Sequence, residues 1–373
     1  MSAPVPSESG LNLIHDRQKA KLGKRHSLKD LSIKLGLLMV STGICLVLLE
    51  FTVRTVFPFF KPKIQIPFHP TEDNFSLGPI SKQIRQATPK GDYDILVSFN
   101  EYGFRDTKDL RDSSERDIFV VGDSFSMGWG VEENQRYSNL LESKLGRRVF
   151  NISIPEDIRG YAKLVQYAEK RGAKVRNLIV GVCMENDLRD YSDGKTAAKL
   201  LKGQQQLKSW PPFVERIRRW LWSHSALYIG ASYTLQSNST LRHLLERIGV
   251  ARNIDRLIPN NEFSEQILIS SCNELVKLAT NYNSVILIIP SRALWHGNKI
   301  EEEKKVHDRF VQLLRKAGLQ VVDMRPTFEQ AVDPLSHYFS TDPHWNPSGH
   351  AEAADALLAA FQNRQIRQKA DPY

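Results

Sequence analysis

The stretch Ile118-Phe-Val-Val-Gly-Asp-Ser-Phe-Ser-Met-Gly128 decides the fold. Four apolar residues run into Gly122, and Asp123 and Ser124 follow. A buried strand that stops at a glycine and presents a serine is how many α/β proteins place a nucleophile. The chemistry is therefore read onto Ser124.

Outward from this strand the pattern is α/β from residue 96 onward. Further apolar, strand-like runs occur at Val149–Ile154, Asn177–Cys183, Ser284–Pro290 and Gln320–Met324. Helical periodicity fills most of the gaps, at Tyr137–Leu145, Tyr161–Arg171, Ser264–Thr280 and Glu301–Lys316. A last helix is expected over His350–Phe361, after Asn346-Pro347, where asparagine serves as N-cap and proline as first helical residue. Continuous apolar strands alternating with helices predict a parallel sheet covered on both faces. One segment breaks the alternation. Residues 190–260, with Trp210-Pro-Pro, Arg216-Ile-Arg-Arg-Trp-Leu-Trp222 and Leu241–Ile248, read as a largely helical insertion. It follows the third strand on the side where open α/β sheets bind ligands, as a lid, a membrane-docking surface or a packing element.

Upstream, residues 1–34 are polar and basic, with seven Lys/Arg against Glu8, Asp16 and Asp30, a net +4. Leu35–Leu49 carries no charge, and Glu50, Phe51-Thr-Val-Arg54 and Phe57-Pro-Phe-Phe60 follow. Fifteen residues are short for a span of about 20. The required length is reached if Glu50 sits at the interface and the helix continues to Phe57, giving a single transmembrane anchor over 35–57. No small-x-small cleavage site follows the run. Basic residues cluster before it, against Arg54, Lys61 and Lys63 after it. The positive-inside bias places the N-terminus in the cytoplasm and the rest outside, as a single-pass protein of the inner (cytoplasmic) membrane. Residues 58–95, with Pro58, Pro62, Pro67, Pro70, Pro79 and Pro89, read as a connector. The domain proper is expected over 96–373.

Bulk properties exclude other classes. Of the formal charge of +9, +4 lies in the basic tail and the remaining +5 is spread over the rest of the chain, and no arginine-rich helix interleaved with aromatics is present, so nucleic acid is not an expected partner. Cys45, Cys183 and Cys272 have neither disulfide nor zinc spacing and read as small apolar fillers. His-Glu-x-x-His, G-x-G-x-x-G and a P-loop are all lacking, so neither a metal nor a nucleotide cofactor is expected.

A serine hydroxyl needs a base within reach and a third group to orient that base. Ser340-Thr-Asp-Pro-His-Trp-Asn-Pro-Ser-Gly-His350 supplies both after the fifth strand. Asp342 and His344, two apart in a loop entering a helix, let the carboxylate reach Nδ1–H while Nε2 faces the serine. Gly181-Val-Cys-Met-Glu-Asn-Asp-Leu188 ends the third strand and projects Asn186 as an oxyanion donor. Alone, each segment is ambiguous: Asp-x-His also suits a metal, and Glu-Asn-Asp a helix cap. Asp123, Asn100, Arg105, Trp345 and His350 read as structural. Ser126 is the alternative nucleophile, and His296 is placed to line the cleft.

Together and in order, Gly122-Asp-Ser124, Asn186-Asp187 and Asp342-Pro-His344 resemble the SGNH (GDSL-type) hydrolase superfamily. Asn100-Glu-Tyr-Gly-Phe-Arg105, Gly122–Val131, Asn151 and Asp342-x-His-Trp-Asn-x-x-Gly-His350 extend the likeness to its bacterial membrane-anchored members, over about residues 96–362. The resemblance implies a three-layer α/β/α domain with a five-stranded, flavodoxin-like sheet of order 2-1-3-4-5. It implies Ser124 as nucleophile, His344 as general base and Asp342 as its orienter. Ser124 N–H, Asn186 and a glycine N–H after the second strand would hold the oxyanion. Here the chain departs from the pattern. Glu156 and Asp157 follow Pro155, and the next glycine is Gly160. The expectation is a membrane-anchored, extracytoplasmic serine esterase or O-acyltransferase, with a carbohydrate ester as substrate. The alternative is a non-catalytic binding or assembly protein of the cell envelope. Hydrolysis or transfer, the acyl group and the oligomeric state are left open.

Overall fold

A computed structural model of the protein describes residues 33–57, 66–88, 91–190, 212–237, 265–297, 299–340 and 342–370. Most of the basic tail, Trp210-Pro211 and Leu241–Ile248 lie outside the described residues. The chain divides into two units, Met1–Pro58 and Phe59–Tyr373.

The first unit holds helix α1 (Ile33–Val56), long and apolar enough to cross a membrane and buried nowhere along its apolar window. At 1.5 Å per residue its 24 residues extend about 36 Å. Three of its hydroxyls turn inward: Ser41, Thr52 and Thr55 donate to the carbonyls of Leu38, Leu48 and Phe51 at 3.0, 2.9 and 2.9 Å. That leaves fewer polar atoms for an apolar surrounding to accommodate.

Among the described residues the second unit has nine strands: β1 (His69–Pro70), β2 (Ser76–Leu77), β3 (Gln83–Ala87), β4 (Asp94–Ser98), β5 (Ile118–Val121), β6 (Val149–Asn151), β7 (Asn177–Cys183), β8 (Asn283–Ile289) and β9 (Val321–Asp323). Its helices are α2 (Ser124–Met127), α3 (Tyr137–Leu145), α4 (Ile158–Lys170), α5 (Asp187–Asp190), α6 (Pro212–His224), α7 (Ala226–Ser237), α8 (Glu265–Ala279), α9 (Ile300–Lys316), α10 (Arg325–Phe328) and α11 (Pro347–Ala370).

Strands β5 to β9 form one parallel sheet of order β6-β5-β7-β8-β9, the predicted 2-1-3-4-5 arrangement. Side chains alternate across it, as the two-residue period requires. Phe119 and Val121 face one core with Leu164 of α4, Leu275 of α8 and Phe310 of α9. Ile118 and Val120 face the other with Leu141 of α3 and Leu357 of α11. Both faces are buried, which is why the strands read as unbroken apolar runs. The chain leaves β5 toward β6 on one side and β7 on the other, so the crevice of this fold opens at the end of β5.

Two expectations shift. The connector over 58–95 is not a spacer where it is described. Its β1–β2 and β3–β4 pairs are antiparallel, and Phe75, Leu77, Tyr93 and Ile95 enter the same core as α4. The third strand has the predicted ends, but β6 stops at Asn151. That side chain donates to Ser126 O and Ser138 Oγ at 2.8 and 3.0 Å and accepts from Ser153 N, while Ile152 N and Ile154 N beyond it still donate to Val120 O and Gly122 O at 2.9 and 3.2 Å.

Candidate active site

Ser124 opens α2 directly after β5. Asp123 is its N-cap, with Oδ1 accepting from Phe125 N at 2.9 Å. Gly122 permits the turn through close approach. A Cβ there would lie 2.3 Å from Ser126 Oγ and 2.8 Å from Gly181 O. Gly128 ends the helix in the left-handed region at φ 85°. Two buried arginines hold the segment beyond it. Arg105 donates to Gly128 O and to Val131 O, the latter at 2.7 Å, and Arg136 donates to Arg105 O at 2.6 Å and Met127 O at 3.3 Å. Burial, helped by the Arg136 charge, pushes the Arg105 guanidinium down to about 9. The serine turn is thus fixed by carbonyl acceptors on all sides, and Arg105 has the structural place expected of it.

His344 lies in a clip between β9 and α11. Tyr338 and Trp345 form an isolated bridge, Phe339 N donates to His344 O at 3.0 Å, and Trp345 is fully buried. Asn346 caps α11 by accepting from Ser348 N and Gly349 N, and its Nδ2 ties back to Ser336 O and Tyr338 O. From this clip His344 Nε2 lies 2.7 Å from Ser124 Oγ, and Nδ1 lies 2.5 Å from Asp342 Oδ1. The same Asp342 oxygen accepts from His344 N at 3.1 Å. Burial alone would raise the Asp342 carboxyl, but the hydrogen bond and charge of His344 hold it down to about 2. It is therefore ionised across neutral pH. A hydroxyl, an imidazole and an ionised carboxylate in line have what nucleophilic acyl chemistry requires.

A cleft of about 350 Å³ opens beside Ser124, lined by Asp123, Pro155, Glu156, Asp157 and Asn186. Asn186 sits where expected, and its Nδ2 donates to Asp123 Oδ2 at 3.2 Å. That acceptor fixes the amide orientation and leaves the second N–H of the group for other partners. Burial raises the Asp123 carboxyl, against the opposing pull of His344, Asn186 and Phe125 N.

Gly160 is a correction. Its N–H donates to Asp157 Oδ1 at 3.0 Å inside the first turn of α4, so it is committed to the helix cap and does not line the cleft. The acidic pair also has structural occupations. Asp157 is the N-cap of α4 and pairs with Arg159 at 2.8 Å, and Glu156 Oε1 accepts from Ser76 N of β2. The helix N-terminus and Arg159 oppose the charge of Asp157.

Ser126 is fully buried, and its Oγ accepts from Tyr137 OH at 2.9 Å, away from the cleft. His296 is exposed and is not part of the cleft wall. Sequence reasoning missed Tyr93 and Trp129. Tyr93 OH donates to Asp342 Oδ2 at 2.9 Å, Trp129 Nε1 donates to Tyr93 OH at 2.8 Å, and the Trp129 ring stacks on His344 at 5.4 Å. No spacing signals a contact across 249 positions.

His350, on the first turn of α11, stacks on Tyr137 at 5.9 Å. Burial, then the charges of Arg136 and Arg105, push it down to about 3. The unfolded chain takes up this proton near 6.5, the folded chain only near 3. Stability from this group is therefore full above about pH 6.5 and is lost as pH falls toward 3. Urea midpoints of the wild type are expected to drop more steeply between pH 7 and 4 than those of His350→Gln, by on the order of a few kcal/mol. Parallel curves would remove this account.

Residues 265–372 match the family model described as ALGX, SGNH hydrolase-like domain, acetyltransferase AlgX. Over these residues the chain is similar to an SGNH hydrolase-like domain. The matched part of the chain includes Asp342 and His344. Among solved structures it is similar to a member of the lipolytic G-D-S-L family from Veillonella parvula DSM 2008, at 12% identity over 66% of this chain and 98% of that chain, with a TM-score of 0.39. The acetylxylan esterase Axe2 from Geobacillus stearothermophilus has 14% identity over 67% and 95%, with a TM-score of 0.35. The C-terminal catalytic domain of Streptococcus pneumoniae peptidoglycan O-acetyltransferase A has 10% identity over 67% and 94%, with a TM-score of 0.33. No curated protein matches the sequence.

Proposed function

We propose that this protein is a serine esterase or O-acyltransferase, held at a membrane by α1, with a carbohydrate ester as substrate. The observation that carries the reading is the line from Ser124 Oγ to His344 Nε2 at 2.7 Å and from His344 Nδ1 to Asp342 at 2.5 Å. Ser124 Oγ attacks the acyl carbonyl as His344 Nε2 takes its proton, and Asp342 stabilises the imidazolium. Ser124 N–H and the Asn186 amide face the developing oxyanion. His344 returns the proton to the leaving alcohol. Water or a sugar hydroxyl, deprotonated in turn by His344, then attacks the acyl-enzyme and frees Ser124. The Glu156 and Asp157 carboxylates at the cleft favour a substrate rich in hydroxyl donors, and the family model's acetyltransferase description supports an acetyl group.

The test is turnover of an aryl acetate by the full chain in detergent at pH 7 to 8. Release of the phenol well above the buffer rate is expected. An added oligosaccharide that diverts acetyl from water marks a transferase. A folded chain no faster than buffer would overturn the reading.

The anchor has its own test. The basic residues before α1 support a cytoplasmic N-terminus. A reporter fused after Tyr373 is expected to be active only on the extracytoplasmic side of the membrane, and cytoplasmic activity would reverse the topology.

A further inference from the structure

We propose that Tyr93 is a positioning residue of the Ser124 site, fixing the second oxygen of Asp342 and, with Trp129, setting the proton affinity of His344.

The hairpin β3–β4 lies outside the five-stranded sheet, and Tyr93 immediately precedes β4. Two loops from distant parts of the chain meet this hairpin. From the serine loop, Trp129 Nε1 reaches Tyr93 OH at 2.8 Å, and Gly130 N donates to the buried Gln86 Oε1 of β3 at 3.1 Å. From the histidine loop, Asp342 Oδ2 accepts from Tyr93 OH at 2.9 Å, and Ser340 Oγ donates to Asp92 Oδ1 at 2.7 Å. The Phe339 ring also lies 5.0 Å from the Tyr93 ring. The hairpin therefore clips the loop carrying Ser124 to the loop carrying His344.

The chemistry follows from which oxygen each donor takes. Asp342 Oδ1 receives His344 Nδ1–H, and Oδ2 receives the phenol. A carboxylate engaged at both oxygens cannot swing away from the imidazole, as with the outer partners that orient metal-bound histidines. Tyr93 is 5% exposed, and burial followed by the Asp342 charge raises its hydroxyl far above the working range, so it stays a donor. A donor on Oδ2 also draws charge from the carboxylate. Without it, Asp342 would hold the imidazolium more tightly, and His344 would titrate at higher pH. Trp129 strengthens the phenol as a donor by bonding its oxygen, and its ring covers one face of His344. The other titratable groups facing His344 are Asp342 on its own loop, Asp123 at the cap of α2, Ser124, and His350 on α11.

This inference rests on reading His344 as the base, but its test needs no turnover. The full chain, labelled with carbon-13 in its histidine rings and carrying Ser124→Ala, is titrated by NMR in detergent micelles. The His344 signal is assigned by its loss in His344→Gln. Tyr93→Phe is expected to raise the His344 midpoint by roughly half to one pH unit. Trp129→Phe, which keeps a ring over the imidazole, should raise it by less. A Tyr93→Phe midpoint unchanged or lowered in a folded chain overturns the proposal. If Tyr93→Phe does not fold, an unchanged or lowered midpoint in Trp129→Phe overturns it, and a raised one supports it. Absence of acyl turnover in the wild type would sink the esterase reading and leave this result standing.

Discussion

Replacing Ser124 with alanine is expected to cut acyl-ester turnover by about 10⁴-fold or more, with little change in KM. The reason is the single-file arrangement of the site. Ser124 Oγ is the hydroxyl in contact with His344 Nε2, and the alternative, Ser126, is sealed beneath it against Tyr137. His344→Ala should cost a comparable factor, because the hydroxyl without its base is a weak nucleophile. The double variant should be scarcely worse than either single one, since the two groups act as a unit. Additive losses in kcat, or a Ser124→Ala variant retaining more than about a hundredth of the wild-type rate, would mean that the serine does not carry the reaction.

Gly122→Ala is expected to be the most damaging small substitution. The new Cβ would lie 2.3 Å from Ser126 Oγ, 2.7 Å from Ser126 Cβ and 2.8 Å from Gly181 O. None of these can retreat freely. Ser126 is fully buried, and its Oγ already sits 2.1 Å from where a Cβ on Gly181 would stand. Overpacking of this kind costs about 3 kcal/mol, and whatever relaxation occurs must move the turn that carries Ser124. Both the urea midpoint and turnover should therefore fall. Adding Ser126→Ala removes the closest atom and should restore part of the stability, because the two sites couple directly. A Gly122→Ala chain of wild-type stability and turnover would show that the turn tolerates a side chain.

The sheet was legible because its strands are buried on both faces and leave unbroken apolar runs, as at Asn177–Cys183. The places of Ser124 and Asn186 were legible because each directly follows a strand, β5 and β7, and the crevice of such a sheet lies at those strand ends; Asp342 and His344 were legible from their own spacing ahead of the Asn346-Pro347 cap of α11. The short hairpins were not. Strands of two residues at His69–Pro70 and Ser76–Leu77, among prolines, carry no periodicity to read. Asp157 was open to a better reading. An aspartate three residues before Gly160, at the head of an amphipathic run, is an N-cap pattern, and it accounts for both the acid and the misassigned glycine. Tyr93 was beyond reach, since its partner Asp342 is brought to it by the whole intervening fold.

The most direct test of the central claim is to treat the full chain with a sulfonyl fluoride or fluorophosphonate probe and map the adduct by peptide mass spectrometry. The expected result is one adduct, on Ser124, absent from Ser124→Ala and His344→Ala. An adduct on another residue, or none on a folded chain, would contradict the assignment of Ser124 as the nucleophile.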